Sequence, residues 1–126
     1  MLAHVSVQCR DAAASRAFYV ALLEPIGGKP LIEHPPYVGF GREIGDSLFF
    51  IGPVDTPGGP HNDVHIAFDA ASREEVDAFM AVAAELGAEV IAEAQEWWYA
   101  PGYYGGFVRD PDGNNVEARH LPAALQ

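Results

Sequence analysis

Two histidines and one glutamate equip this chain for chemistry. His4 and His65 stand 61 positions apart, and each opens a short stretch that alternates in the period of a half-buried strand. In 2–8, His4, Ser6 and Gln8 share one face and Val5 and Val7 the other. In 63–69, Asp63, His65 and Ala67 oppose Val64, Ile66 and Phe68. The glutamate, Glu117, ends the run Asp110-Pro111-Asp112-Gly113-Asn114-Asn115-Val116-Glu117. Imidazole and carboxylate suit a borderline divalent ion, and two His with one carboxylate leave positions open for water or substrate. Taken alone, a strand histidine is more often a satisfied polar residue, and His34, His61 and His120 are read that way. The repeat and Glu117 set His4 and His65 apart.

A turn must aim Glu117. Pro111 presets its own φ, Gly113 supplies φ > 0, and Asp and Asn favour such turns, so 107–117 reads as a hairpin. Slipping the register by one residue would send Glu117 to the opposite face. Pairing Asp110 with Asn114 places Phe107 opposite Glu117, with Gly105 and Tyr103 on the same face. A shift of one pair brings Tyr104 there instead. A tyrosine hydroxyl at that place is a candidate acid or hydrogen-bond donor. Trp97, Trp98 and Tyr99 crowd the preceding loop, as an apolar pocket wall or as a seam between subunits.

Behind these residues the chain repeats itself. At an offset of 61, Asp11 also matches Ser72 and Phe18 matches Phe79; at 67, Phe40-Gly41-Arg42-Glu43 matches Phe107-Val108-Arg109-Asp110, and Phe50 falls on Glu117. The first half predicts a strand, a helix from an Asp11 cap to about Glu24 with Ala14, Phe18 and Leu22 as its stripe, and strands near 29–33, 37–42 and 47–52. A linker at 53–62 holds three prolines and two glycines. The second half predicts strand 63–69, a helix opened by a Ser72/Glu75 capping box with Val76, Phe79, Met80 and Ala83 buried, a strand near 88–93, an aromatic loop 94–102 and the hairpin. The expected fold is α+β, two tandem βαβββ modules forming a cupped eight-stranded mixed sheet with a central cleft. It occupies 1–126 as one domain: module one about 1–52, linker 53–62, module two 63–120.

The chain has 126 residues, 49% of them hydrophobic, and a formal charge of −11. That charge argues against nucleic acid, whose phosphates it would repel. No apolar run reaches the roughly 20 residues of a membrane helix. The first residues lack a basic segment and apolar core of the secretory kind. One cysteine, Cys9, allows no internal disulfide. A cytoplasmic protein with no membrane partner is expected.

His4-Val5, His65-Ile66-Ala67-Phe68 and 110–117 together resemble the vicinal oxygen chelate superfamily, which includes glyoxalase I, extradiol dioxygenases and bleomycin-binding proteins. The resemblance spans nearly the whole chain. It implies one divalent metal ion (Fe, Mn, Ni, Co or Zn) held by His4, His65 and Glu117, with Phe50 where a four-ligand member carries a carboxylate. It implies a small-molecule substrate and a homodimer. The leading activity is a glyoxalase-like lyase or isomerase acting on a small oxygenated metabolite that chelates the metal, with Glu117 and Tyr103 or Tyr104 as the catalytic residues. The alternatives are an extradiol-type dioxygenase and a metal-free, bleomycin-resistance-like sequestering protein.

Overall fold

The structure is a computed structural model and describes residues 2–54 and 64–123. The chain divides into two compact units, Met1–Asn62 and Asp63–Gln126. Most of the expected linker, together with His61 and Asp63, lies outside the described residues.

Both units run strand, helix, three strands. In the first these are β1 (His4–Cys9), α1 (Ala12–Leu23), a short 3-10 turn at Glu24–Ile26, β2 (Lys29–His34), β3 (Tyr37–Gly41) and β4 (Leu48–Pro53). In the second they are β5 (His65–Asp69), α2 (Arg73–Glu85), β6 (Val90–Glu96), β7 (Tyr104–Arg109) and β8 (Asn115–His120). Each unit builds one four-stranded sheet, ordered β1-β4-β3-β2 and β5-β8-β7-β6. The opening strand of each runs parallel to its closing strand, and the remaining pairs are antiparallel. The class is α+β, built from two βαβββ modules. Among the described residues no helix is long and apolar enough to cross a membrane.

Local chemistry sets the helix limits. Asp11 caps α1 by accepting from the Ala14 amide at 3.0 Å. Gly27, with φ of 83°, ends the 3-10 turn that follows it. Ser72 caps α2 by accepting from the Glu75 amide at 3.2 Å, while Glu75 accepts from the Ala71 amide at 2.6 Å. The capping box therefore closes one residue earlier than its usual form, on the residue before the cap. Val76, Phe79, Met80 and Ala83 are the buried stripe of α2. On α1 the stripe is rotated from the expected one. Ser15, Phe18, Tyr19, Leu22 and Leu23 are buried, whereas Ala14 is exposed. Tyr19 is the cause: its ring packs against Phe49 at 4.8 Å and Phe40 at 6.2 Å, and so draws that face of the helix inward.

Sheet parity then separates two faces. In the second unit Val108, Val116 and Ala118 are buried on the helix side. Met80 presses so close to Gly106 that a Cβ there would lie 2.6 Å from its sulfur. Phe107 and Glu117, paired across β7 and β8, take the other face. In the first unit Val38, Phe40, Phe49 and Ile51 line the helix side, and Phe50 occupies the place that Glu117 holds in the second. Phe50 sits opposite Gly39, where Glu117 sits opposite Phe107. Phe107 therefore corresponds to Gly39 rather than Phe40, because the β3–β4 connection (42–47) is one residue longer than the β7–β8 connection (110–114).

Candidate functional site

The β7–β8 turn forms as its residues dictate. Gly113 has φ of 86°. The buried Asp110 accepts from the amides of Asp112 at 2.9 Å and Asn114 at 2.8 Å, and from the Asn114 side chain at 2.8 Å. The Asp110 amide donates to the Asn114 carbonyl at 2.9 Å. Arg109 adds a bond to the Gly113 carbonyl at 2.9 Å. One carboxylate thus gathers the turn's spare donors, and the register it locks sets Phe107 against Glu117.

Parallel pairing of β5 with β8 brings His65 to the same place. Its partner in register is Asn115, and Ala67 faces Glu117. The Glu117 side chain leans between strands so that His65 Nε2 lies 2.8 Å from Oε2. Its other oxygen, Oε1, accepts from the Tyr103 hydroxyl at 2.5 Å. Glu117 is only 1% exposed. A carboxylate this deep costs several kcal/mol unless hydrogen bonds replace its water; Tyr103 supplies one, and His65 a second in the tautomer that carries its proton on Nε2. Gly105 makes the arrangement possible, since a Cβ there would lie 2.8 Å from Oε1 and 3.3 Å from Tyr103 Cε1.

A chain of aromatic contacts runs from His65 to Tyr103, the two residues that hold this carboxylate. His65 meets Phe107 edge-on at 5.5 Å, Phe107 meets Trp97 at 5.3 Å, Trp97 stacks on Tyr99 at 5.6 Å, and Tyr99 meets Tyr103 at 5.1 Å. Trp97 is pinned by its indole N–H to the Gly105 carbonyl at 2.8 Å and by its amide to the Tyr103 carbonyl at 2.9 Å. Burial first, then the bond to Glu117, push the Tyr103 hydroxyl well above its ordinary pKa. It therefore keeps its proton at neutral pH and can only donate to Glu117.

Among the sequence candidates, His65, Glu117 and Tyr103 come together. Tyr104 does not: its hydroxyl donates to Asp77 on α2 at 2.7 Å and Arg73 lies over its ring at 4.8 Å, so it belongs to the helix face. The hydrogen bond to Asp77 is the main cause that raises its pKa. His4 lies in the first unit, edge-on to Phe50 at 5.4 Å. Among the described residues of neither unit do three His, Cys, Asp or Glu side chains gather as a metal site. His120 turns to the Ala70 carbonyl at 3.0 Å. β6 runs to Glu96, so residues 94–96 of the expected aromatic loop are strand.

Two face-sharing residues escaped the sequence reading, Asn115 and Arg119. They flank Glu117 at two-residue spacing on β8, and that spacing was the available signal. Asn115 Oδ1 and Arg119 Nη1 are buried without a hydrogen-bond partner among the described residues.

A family model described as the Glyoxalase/Bleomycin resistance protein/Dioxygenase superfamily matches residues 1–118. The chain belongs to this superfamily. A glyoxalase/bleomycin resistance protein from Albidiferax ferrireducens T118 is 30% identical, with a TM-score of 0.81 over 97% of this chain and 99% of that one. A glyoxalase/bleomycin resistance protein/dioxygenase family enzyme from Burkholderia phytofirmans PsJN is 22% identical, with a TM-score of 0.74 over 94% and 97%. A lactoylglutathione lyase from Agrobacterium tumefaciens is 23% identical, with a TM-score of 0.67 over 95% and 92%. These last two likenesses are of fold. No curated protein matches.

The donor chemistry of this superfamily member suits a divalent ion. An imidazole nitrogen and a carboxylate oxygen lie 2.8 Å apart on one face. The Asn115 oxygen on that face is buried without a partner among the described residues, an unfilled acceptor beside this pair.

Proposed function

We propose that this protein is a metal-dependent lyase or isomerase of the glyoxalase kind, acting on a small oxygenated metabolite. The observation that carries the reading is the buried Glu117 carboxylate, with His65 at one oxygen and Tyr103 at the other. The expected ligand set His4, His65 and Glu117 would hold one divalent ion (Fe, Mn, Ni, Co or Zn), which would supply Lewis-acid polarisation of the substrate's oxygens.

The chain's own residues do the rest. Glu117 would act as the base. Tyr103 fixes its rotamer by donating a hydrogen bond to Oε1. Trp97 and Phe107 wall the carboxylate and keep bulk water away, which strengthens every charge interaction within. The same reading has the protein working in the cytoplasm as a homodimer, which light scattering would check.

The test begins with untagged protein. We expect one divalent ion per chain, loss of that ion in His65→Ala with the circular dichroism spectrum retained, and metal-stimulated turnover of a hemithioacetal of an α-ketoaldehyde. Preparations that take up no stoichiometric Ni²⁺, Mn²⁺ or Zn²⁺, or His65→Ala protein that keeps its ion, would overturn the ligand set. Oxygen uptake with catechol in place of hemithioacetal turnover would reassign the reaction to dioxygenation.

A further inference from the structure

Arg119 follows Glu117 by two positions on β8, so both side chains leave the same face of the sheet. Its neighbours across the strands are Gly105, which has no side chain, and Asp69. Arg119 Nη1 lies 3.5 Å from Asp69 Oδ1, an ion pair too loose to be a hydrogen bond. That nitrogen is buried and has no acceptor among the described residues. A guanidinium offers five donors in a planar fork that matches a carboxylate two at a time. Burying one of those donors unsatisfied carries a desolvation cost that a well-placed acceptor would remove.

Asp69 holds it weakly. The Asp69 side chain is 46% exposed and that of Arg119 is 27% exposed, and ion pairs at such depth contribute little. Exchanging Asp69 for another anion therefore costs little. The other cation on this face, Arg109, is engaged at the opposite end by the Gly113 carbonyl and by Glu89 at 3.7 Å. On a chain of formal charge −11, an anionic ligand is repelled unless a local cation receives it.

We propose that Arg119 holds a carboxylate of the substrate. Resting on the metal-site reading, this makes the substrate an oxygenated acid whose carboxylate lies about 7 Å, two strand residues, from the oxygens received at His65 and Glu117. Bidentate capture draws the guanidinium from Asp69 and satisfies the buried donor.

Calorimetric titration of the metal-free protein with sodium benzoate, and with neutral benzamide as control, tests this. Saturable benzoate binding is expected, weakened at least tenfold in Arg119→Gln and partly restored in Arg119→Lys, with benzamide insensitive to either change. Asp69→Asn removes the competing carboxylate and should tighten benzoate several-fold. Equal benzoate affinity in wild type and Arg119→Gln, or unchanged or weaker affinity in Asp69→Asn, would overturn the proposal. Inorganic phosphate displacing benzoate at a lower concentration than acetate does would also overturn it, by reassigning the group to phosphate. A parallel Ni²⁺ titration separates the two readings. Protein that takes up no Ni²⁺ but loses benzoate in Arg119→Gln supports this inference while the metal set fails.

Discussion

At Glu117 three side chains settle one geometry. Tyr103 and His65 each hold one oxygen, and Gly105 leaves the space. Gly105→Ala should therefore displace either Glu117 or Tyr103, destabilise the fold by about 1–3 kcal/mol as overpacking does, and weaken Ni²⁺ binding at least tenfold. Urea unfolding and calorimetry check the two effects separately. Tyr103 supplies a pH signature. Its pKa in the folded chain lies above the ordinary value of 10.0, so the folded state binds that proton more tightly than the unfolded chain. The stability this contributes is complete below pH 10.0 and is lost as the pH climbs from there towards the folded pKa. Wild type should lose stability over that alkaline range more steeply than Tyr103→Phe. Matching slopes in denaturant titrations would show that the hydroxyl does not feel Glu117.

Among the elements, α2 was readable because its apolar residues are few and correctly spaced, so the sequence had only one face to bury. Phe79→Ala should cost about 3–5 kcal/mol, and Ser72→Ala about 1 kcal/mol through loss of the cap; thermal and urea unfolding would measure both. α1 was harder. Its sequence Ala-Ala-Ala-Ser-Arg-Ala-Phe-Tyr-Val-Ala-Leu-Leu is apolar nearly all round; Phe18 and Leu22 of the expected stripe are buried, and Tyr19 packs beside them on Phe49. The hairpin at 107–117 was legible to the residue, since Asp110, Pro111 and Gly113 leave the turn few choices. Loop geometry was not. Nothing local distinguishes Tyr103 from Tyr104. The choice depends on where β7 begins and on Gly105 leaving room, facts that the pairing of β6 with β7 decides. Arg119 was overlooked because a single cation on a strand carries no local pattern; its meaning comes from Glu117 and Asp69 beside it.

The whole molecule is one plan executed twice with different chemistry. Each unit sets its opening strand parallel to its closing one, and each places a histidine at the start of that pair. The second unit then offers Glu117, where the first offers Phe50 against Gly39. Phe50→Glu would give the first unit its own carboxylate beside His4. That change should tighten Ni²⁺ binding by adding a fourth oxygen to the proposed ligand set. Unchanged affinity would show that position 50 does not share the ion.

The two adjacent tryptophans differ sharply in setting: Trp97 is locked beside Phe107 and Tyr99, while Trp98 is 87% exposed. Their emission should therefore divide into a blue-shifted part and a water-like part, and iodide should quench the latter more strongly. Replacing Trp98 with phenylalanine would leave one indole, lodged in the wall of the carboxylate's enclosure, as a built-in optical reporter of whatever enters.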